Sequence, residues 1–370
     1  MSHPATTFQS LAPDQAGVLL VMIDRHLGNA VISLPVVQRL LEHFHDPPDL
    51  LVDERYAPLF ERLPAAGRIC AYPQQASKGR GLRANLRPLA MLARLAARRY
   101  RCVLDLTGLP RSALLTAATL APLRVTIRGR HRRRLYSHAL PEDGGPHGPH
   151  VLNRYASLLH CIGQSRLPPP VRLRAGDEAH AAIAELLHQH DADTQAPLVV
   201  IHPGAGKRWR QWPAERFARV ADTLIERHAA QVCIIGAPSE QALMQQVRSA
   251  MRHPQRALAL STSLENLLAL YERAAVMLSN ESGPTHLAAT TDLPIVTIFG
   301  PAKEQRWRPL RDHDLVILRG APCDPRCRSQ RYAADLRCLM RVEPDQMIEA
   351  ATPWLQATPR LAPRQLISPR

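Results

Sequence analysis

Three short stretches hold the residues best suited to chemistry. The richest runs Ser279-Asn-Glu-Ser-Gly-Pro-Thr-His286. It follows an apolar run ending at Leu278 and leads into a helical segment opening at Pro284, where a missing N–H costs nothing. Ser282, Gly283 and Thr285 would there leave backbone N–H groups and small hydroxyls open at a helix N-terminus, which stabilises an anion. Glu281 and His286 flank the same point. A phosphate-bearing ligand is the simplest guest.

The second stretch is His202-Pro-Gly-Ala-Gly-Lys-Arg-Trp-Arg-Gln-Trp-Pro213. Gly204 and Gly206 would permit a backbone nest for an anion. Lys207, Arg208 and Arg210 could neutralise a diphosphate, and Pro213 opens the next helix. The spacing of a Walker loop is absent. The third stretch is Asp24-Arg-His-Leu-Gly-Asn-Ala30. Gly28 would let a ligand approach the backbone closely. Asn29 either caps a helix or hydrogen-bonds a substrate; taken alone, the ordinary cap is the better reading.

Elements that would position these stretches alternate along the chain. Strands fit Val18–Ile23, Leu50–Val52, Arg68–Ala71 and Cys102–Leu106, with helices at Val31–Phe44 and Leu86–Arg98. Pro168-Pro169-Pro170 interrupts the pattern, and 176–190 reads as helix. A second series has strands at Leu198–His202, Val232–Ile235, Ala257–Leu260, Val276–Leu278 and Ile295–Phe299. Its helices fit Ala214–His228, Glu240–Met251, Leu264–Arg273 and Pro284–Thr290. Such alternation implies parallel sheets, and ligands bind beyond the carboxyl ends of their strands. All three stretches fall there. The expectation is α/β: two Rossmann-like domains facing across a cleft and hinged near 170–195. The boundaries are a flexible N-terminus at 1–16, an N-terminal domain at 17–175, a C-terminal domain at 176–345, and a C-terminal tail at 346–370 that is loosely ordered from Pro353.

The chain has 370 residues and a formal net charge of +15, and only Lys78, Lys207 and Lys303 are lysines. An arginine excess favours an anionic partner, because the guanidinium fork pairs with phosphate and carboxylate. A nucleic acid is one such partner. Aromatic residues are 4% of the chain, too few for a platform that stacks single strands, and no helix-turn-helix or zinc-finger spacing appears. Nucleic acid is therefore not expected. Cys70, Cys102, Cys161, Cys233, Cys323, Cys327 and Cys338 are odd in number and dispersed, as expected of reduced, buried thiols. No signal peptide or membrane span is legible. These features point to the cytoplasm, with membrane contact at most peripheral. Asp191-Ala192-Asp193 and Asp312-His313-Asp314 mimic a metal-binding pair but read as loop residues. Cys323, Cys327 and Cys338 lack a fourth ligand at zinc spacing.

Taken in order, the motifs resemble glycosyltransferase family 9, the heptosyltransferases of lipopolysaccharide assembly. The resemblance rests on L-G-N-A-V-I-S-L-P, V-L-D-L-T-G-L-P-R-S at 103–112 and I-H-P-G-A-G…W-P-A-E-R-F-A at 201–218. I-I-G-A-P-S-E at 234–240, N-E-S-G-P-T-H-L-A-A…P-I-V-T-I-F-G-P at 280–301 and the spaced late cysteines complete it. It implies a GT-B fold, with the acceptor on the N-terminal domain and a nucleotide-sugar, typically ADP-heptose, on the C-terminal one. It implies inversion without metal or other cofactor. The acceptor would be a phosphorylated glycolipid at an anionic membrane surface.

Donor contacts are expected at His202, Gly204, Lys207, Arg210, Glu281, Ser282, Gly283, Thr285 and His286, the last equally able simply to pack. Acceptor contacts are expected at Gly28, Arg111, Arg128 and Arg132, with a plain surface role equally open to Arg111; the last two lie in a cluster with Arg124, Arg130, Arg133 and Arg134 that also reads as a solvated loop drawn to an anionic membrane. Three departures stand out. The family's activating Asp after the glycine is Asn29 here, its Lys before Trp-Pro is Arg210, and its Asp before Ser/Thr-Gly is Glu281. A neutral amide is no general base, a role typically contributing ~10²–10⁴-fold. Asp24, His26 or Asp105 could be the base instead. Alternatively transfer could rely on positioning and on Arg210, or the protein could bind donor without turning it over.

Overall fold

A computed structural model of the chain describes residues 10–73, 82–127, 133–140, 148–300, 304–311, 314–319 and 337–356. It divides into two compact units, residues 1–171 with 305–308, and 172–304 with 309–370.

The first unit runs β1 (Val18–Met22), α1 (Leu27–Leu41), β2 (Asp49–Asp53), α2 (Ala57–Glu61), β3 (Ile69–Tyr72), α3 (Leu82–Ala97) and β4 (Cys102–Asp105). It continues with α4 (Pro110–Ala118), β5 (Leu123–Thr126), β6 (His138–Ala139) and α5 (Val151–Ala156). All its strand pairs are parallel, in the order β3-β2-β1-β4-β5-β6. The central strand VLLVM is buried throughout, the continuous apolar run a sheet covered on both faces requires. Leu19, Val21 and Ile23 pack with Leu95, Tyr100 and Leu115.

The second unit runs α6 (Asp177–Gln189), β7 (Leu198–His202), α7 (Ala214–His228), β8 (Gln231–Ile235), α8 (Gln241–Ser249), β9 (Ala257–Leu260), α9 (Leu264–Arg273) and β10 (Val276–Asn280). Then come α10 (Gly283–Ala288), β11 (Ile295–Phe299), α11 (Glu304–Trp307, which from Gln305 belongs to the first unit), β12 (Leu315–Arg319), α12 (Arg337–Met340) and α13 (Pro344–Gln356). Its sheet is again parallel, in the order β12-β11-β10-β7-β8-β9. Renumbered within each unit, both sheets have the order 3-2-1-4-5-6 of the doubly wound fold. Chain order reverses between β1 and β4, and again between β7 and β10. Loops leaving those strands cannot be covered by crossover helices, so each sheet opens a crevice there.

Helix α7 shows why the second unit holds together. Phe217, Val220, Ala221, Leu224 and Ile225 repeat at helical spacing and are buried against the sheet. Truncating a residue such as Phe217 costs about 3–5 kcal/mol. The tail expected from 346 is corrected by α13. Met347, Ile348, Ala351 and Leu355 form an apolar stripe buried in the same core, so residues through 356 belong to the fold. Pro353 sits inside this helix near its end, where few backbone bonds depend on it.

Candidate active site

In the first unit three aspartates stand at the carboxyl ends of adjacent strands. Asp53, fully buried at the end of β2, is held by Arg55 through Nε at 2.9 Å and Nη2 at 2.7 Å. Asp105, fully buried at the end of β4, accepts the Thr107 and Gly108 amides at 2.8 and 3.0 Å and the Tyr136 hydroxyl at 2.6 Å. Burial pushes its carboxyl up, and these donors only partly offset that. Asp105 therefore shapes the turn that launches α4. It has no access to a substrate hydroxyl, which removes it as a base.

Asp24, beyond β1, differs. One carboxylate oxygen accepts the His26 amide at 2.9 Å and faces His26 Nδ1 at 2.8 Å; the other accepts Asn29 Nδ2 at 2.8 Å. Burial opposes its ionisation most, but the His26 ring, the His26 amide and Asn29 together hold the carboxyl below its usual range. Asn29 is not the helix cap that the sequence favoured. It is the third residue of α1, after Gly28, and the N-cap position is His26. Its side chain turns back onto Asp24, because a carboxylate is a stronger acceptor than anything the helix end offers.

Arg111 lies over the Tyr72 ring at 5.8 Å. Arg124 is tied to backbone carbonyls of Leu135, at 2.8 Å, and of Ala121. Arg128, Arg130 and Arg132 lie outside the described residues, as do Cys323, Cys327 and the Asp312-His313 pair.

In the second unit the loops after β7 and β10 meet. Asn280 binds them: its Oδ1 accepts the Trp212 amide at 3.1 Å and its Nδ2 donates to the Pro203 carbonyl at 2.7 Å. Trp212 is locked further by its indole donating to Val342 O at 3.1 Å and by edge contact with Phe217. The hydroxyls expected to be open are turned inward. Ser282 and Thr285 are buried, and Ser282 Oγ lies 3.0 Å from His202 Nδ1 and 2.9 Å from Thr285 Oγ1. Thr285 donates to Asn280 O at 3.0 Å and lies 3.0 Å from Ser279 Oγ. Thr285 Oγ1 spends its one hydrogen on Asn280 O, so Ser279 is the donor in their contact. His286 is buried within α10.

On the other side of the His202 ring, Nε2 lies 3.5 Å from Glu240 Oε2. Burial works against Glu240's charge, but its bond to His202, with the Ala237 amide, brings its carboxyl below the usual range. Glu240 was not singled out from sequence as a site residue, although it ends the I-I-G-A-P-S-E motif. Gly204 is explained by it: a Cβ there would fall 2.0 Å from Glu240 Oε1, whereas Gly206 faces open space. Neither glycine has positive φ, so the expected nest gives way to a side-chain clearance.

Arg210 and Glu281 form the most polar feature of these loops. Nη1 donates to Glu281 Oε2 at 2.9 Å, and the guanidinium lies 4.8 Å over the Trp209 ring. Burial raises the Glu281 carboxyl, with Arg210 working against it. Arg210 Nε is buried without a hydrogen-bond partner among the described residues. Lys207 is exposed nearby in sequence. A cation, a carboxylate and a helix start at one sheet end can hold a polyphosphate and a polyol together.

Two doubly wound units, each with its polar residues at the strand-order reversal, define a GT-B-type protein built of two Rossmann-like domains. The solved glycosyl transferase family 9 structure from Veillonella parvula superposes with a TM-score of 0.79 at 19% identity, over 94% of this chain and 99% of that one. The Escherichia coli heptosyltransferase WaaC with ADP-2-deoxy-2-fluoro heptose gives 0.65 at 18% identity, over 90% and 98%. Lipopolysaccharide heptosyltransferase 3 of Escherichia coli is 25% identical over 307 residues, 80% of this chain and 86% of the relative. Residues 89–335 match glycosyltransferase family 9 (heptosyltransferase), and the chain belongs to that family.

Proposed function

We propose that the protein transfers a heptose, with inversion and without a metal, from ADP-heptose to a lipopolysaccharide core-type acceptor. The observation that carries this reading is the Arg210–Glu281 pair at the carboxyl end of the second sheet. Family membership supports the sugar and acceptor class. In the reaction an acceptor hydroxyl attacks the anomeric carbon, an oxocarbenium-like state develops, and negative charge grows on the departing diphosphate. Arg210 and Lys207 lie on the loop suited to meet that charge, together with the start of α10 at Ser282, Gly283 and Thr285. Two cations can supply the electrostatic stabilisation that a metal gives elsewhere. Glu281 suits the sugar hydroxyls, and the His202–Glu240 pair fixes the loop around Gly204. The first unit, with Gly28 and Arg111, is assigned the acceptor. A cytoplasmic location with peripheral membrane contact fits the arginine excess.

Calorimetric titration with ADP, GDP and UDP in excess chelator tests the donor side. ADP is expected to bind most tightly and to raise Tm. Failure of all three to bind would overturn the reading. A second reading, donor binding without transfer, is favoured by the Asn29 amide where the family has an acid.

A further inference from the structure

We infer that His26 is the general base of this protein, with Asp24 and Asn29 as the residues that position it. The inference rests on the glycosyl-transfer reading above. Of the three aspartates at the carboxyl ends of β2, β1 and β4, two are consumed by internal partners, Arg55 in one case and Thr107, Gly108 and Tyr136 in the other. Asp24 alone of the three is joined to an imidazole. His26 Nδ1 lies 2.8 Å from Asp24 Oδ1, and the imidazole side chain is 59% exposed, against 11% for Asp24.

The tautomer follows from the partner. An ionised carboxylate accepts only, so Nδ1 carries the hydrogen and the neutral ring presents the Nε2 lone pair outward. Asn29 then has a definite task. Its amide donates to the second Asp24 oxygen and fixes the carboxylate plane. An acid at position 29 would set two carboxylates at that separation, and one of them would have to hold a proton. The amide at 29 and the acid at 24 thus make one device: the carboxylate is displaced toward β1 and its basicity is relayed through an imidazole. The other charged or titratable groups at this turn are Arg25 itself, and Arg55 and Tyr56, which both donate to the Arg25 carbonyl. Arg55 is already paired with Asp53, and Tyr56 stays neutral because burial pushes it up to about 12.

In the step, the acceptor hydroxyl gives its proton to His26 Nε2 as its oxygen bonds to the anomeric carbon. The bond from that carbon to the phosphate oxygen breaks, and its electron pair leaves with the nucleoside diphosphate. The imidazolium then returns its proton to water.

The test measures transfer from ADP-heptose to a heptose-deficient lipopolysaccharide core, with ADP affinity and Tm, for wild type, His26→Gln, Asp24→Asn, Asn29→Asp and the Asn29→Asp/His26→Gln pair. His26→Gln is expected to keep ADP affinity and Tm, lose about 10²–10⁴-fold in kcat, and lose the acid limb of the pH–rate profile. Asp24→Asn should lower kcat about tenfold or more and move that limb, and Asn29→Asp should not gain rate. Unchanged kcat and profile in His26→Gln would overturn the inference. So would rescue of that variant by Asn29→Asp. A wild type that binds ADP but transfers nothing overturns the base assignment and leaves the donor reading standing; one that fails to bind ADP overturns both. Independently of activity, ¹⁵N NMR of the neutral ring is expected to show hydrogen on Nδ1; hydrogen on Nε2 would contradict the inference.

Discussion

Glu240 Oε1 occupies the space where a side chain on residue 204 would begin; a Cβ there would lie 2.0 Å from it. The glycine of the His-Pro-Gly motif thus leaves room for a carboxylate on the next crossover, which in turn faces His202.

Gly204→Ala is expected to push Glu240 away from His202 and disturb the loop leading to Arg210. ADP affinity should fall at least tenfold and Tm should drop. Gly206→Ala, with no atom in reach, should leave both unchanged. Calorimetry and thermal unfolding of the two variants check this.

Arg210→Ala removes the partner of a buried carboxylate and the cation proposed to meet the leaving group. Losing such a group typically costs ~10²–10³ in kcat. Arg210→Lys keeps the charge without the fork over Trp209, so it should retain most of the rate with a raised KM. Steady-state kinetics on the pair separate charge from geometry. A full rate in Arg210→Ala would remove this residue from the mechanism.

Asn280→Ala breaks two buried bonds, to the Trp212 amide and the Pro203 carbonyl. Leaving such groups unpaired costs about 1–3 kcal/mol each. Urea unfolding should show that loss, with weaker ADP binding, because the same residue joins the two loops.

Asp105 and Asp24 should have opposite signatures in the pH dependence of stability. The Asp105 carboxyl is raised in the fold, so its native state holds the proton longer than the unfolded chain. Its ionisation therefore costs stability as pH rises above the ordinary carboxylate range. Asp105→Asn should gain on wild type from pH 4 to pH 7.5. The Asp24 carboxyl is lowered, so its contribution is present at neutral pH and fades as pH falls through the native value. The deficit of Asp24→Asn should shrink on acidification. Chemical denaturation across that range reads both signs.

Much of the frame was legible because parallel strands buried on both faces are uninterrupted apolar runs. The ends of β7, α7, β9, α9 and β11 coincide with the apolar pattern. Helix α13 was not legible because Pro353 reads as a breaker. At the site, residue types marked the right loops but not their wiring. Ser282 and Thr285 looked open because nothing local shows His202 arriving from another strand. Glu240 was passed over because its partner Gly204 has no side chain to suggest a contact. Asp24 and His26, close in sequence, were legible as alternatives; the short contact that joins them was not.

Acceptor-dependent transfer is the most direct test of the account. The protein is incubated with ADP-heptose and a heptose-deficient lipopolysaccharide core in the presence of chelator, and both released ADP and acceptor mass are measured. Stoichiometric ADP release and a mass gain of one heptose residue are expected. Unchanged acceptor mass, with ADP-heptose demonstrably bound, would contradict it.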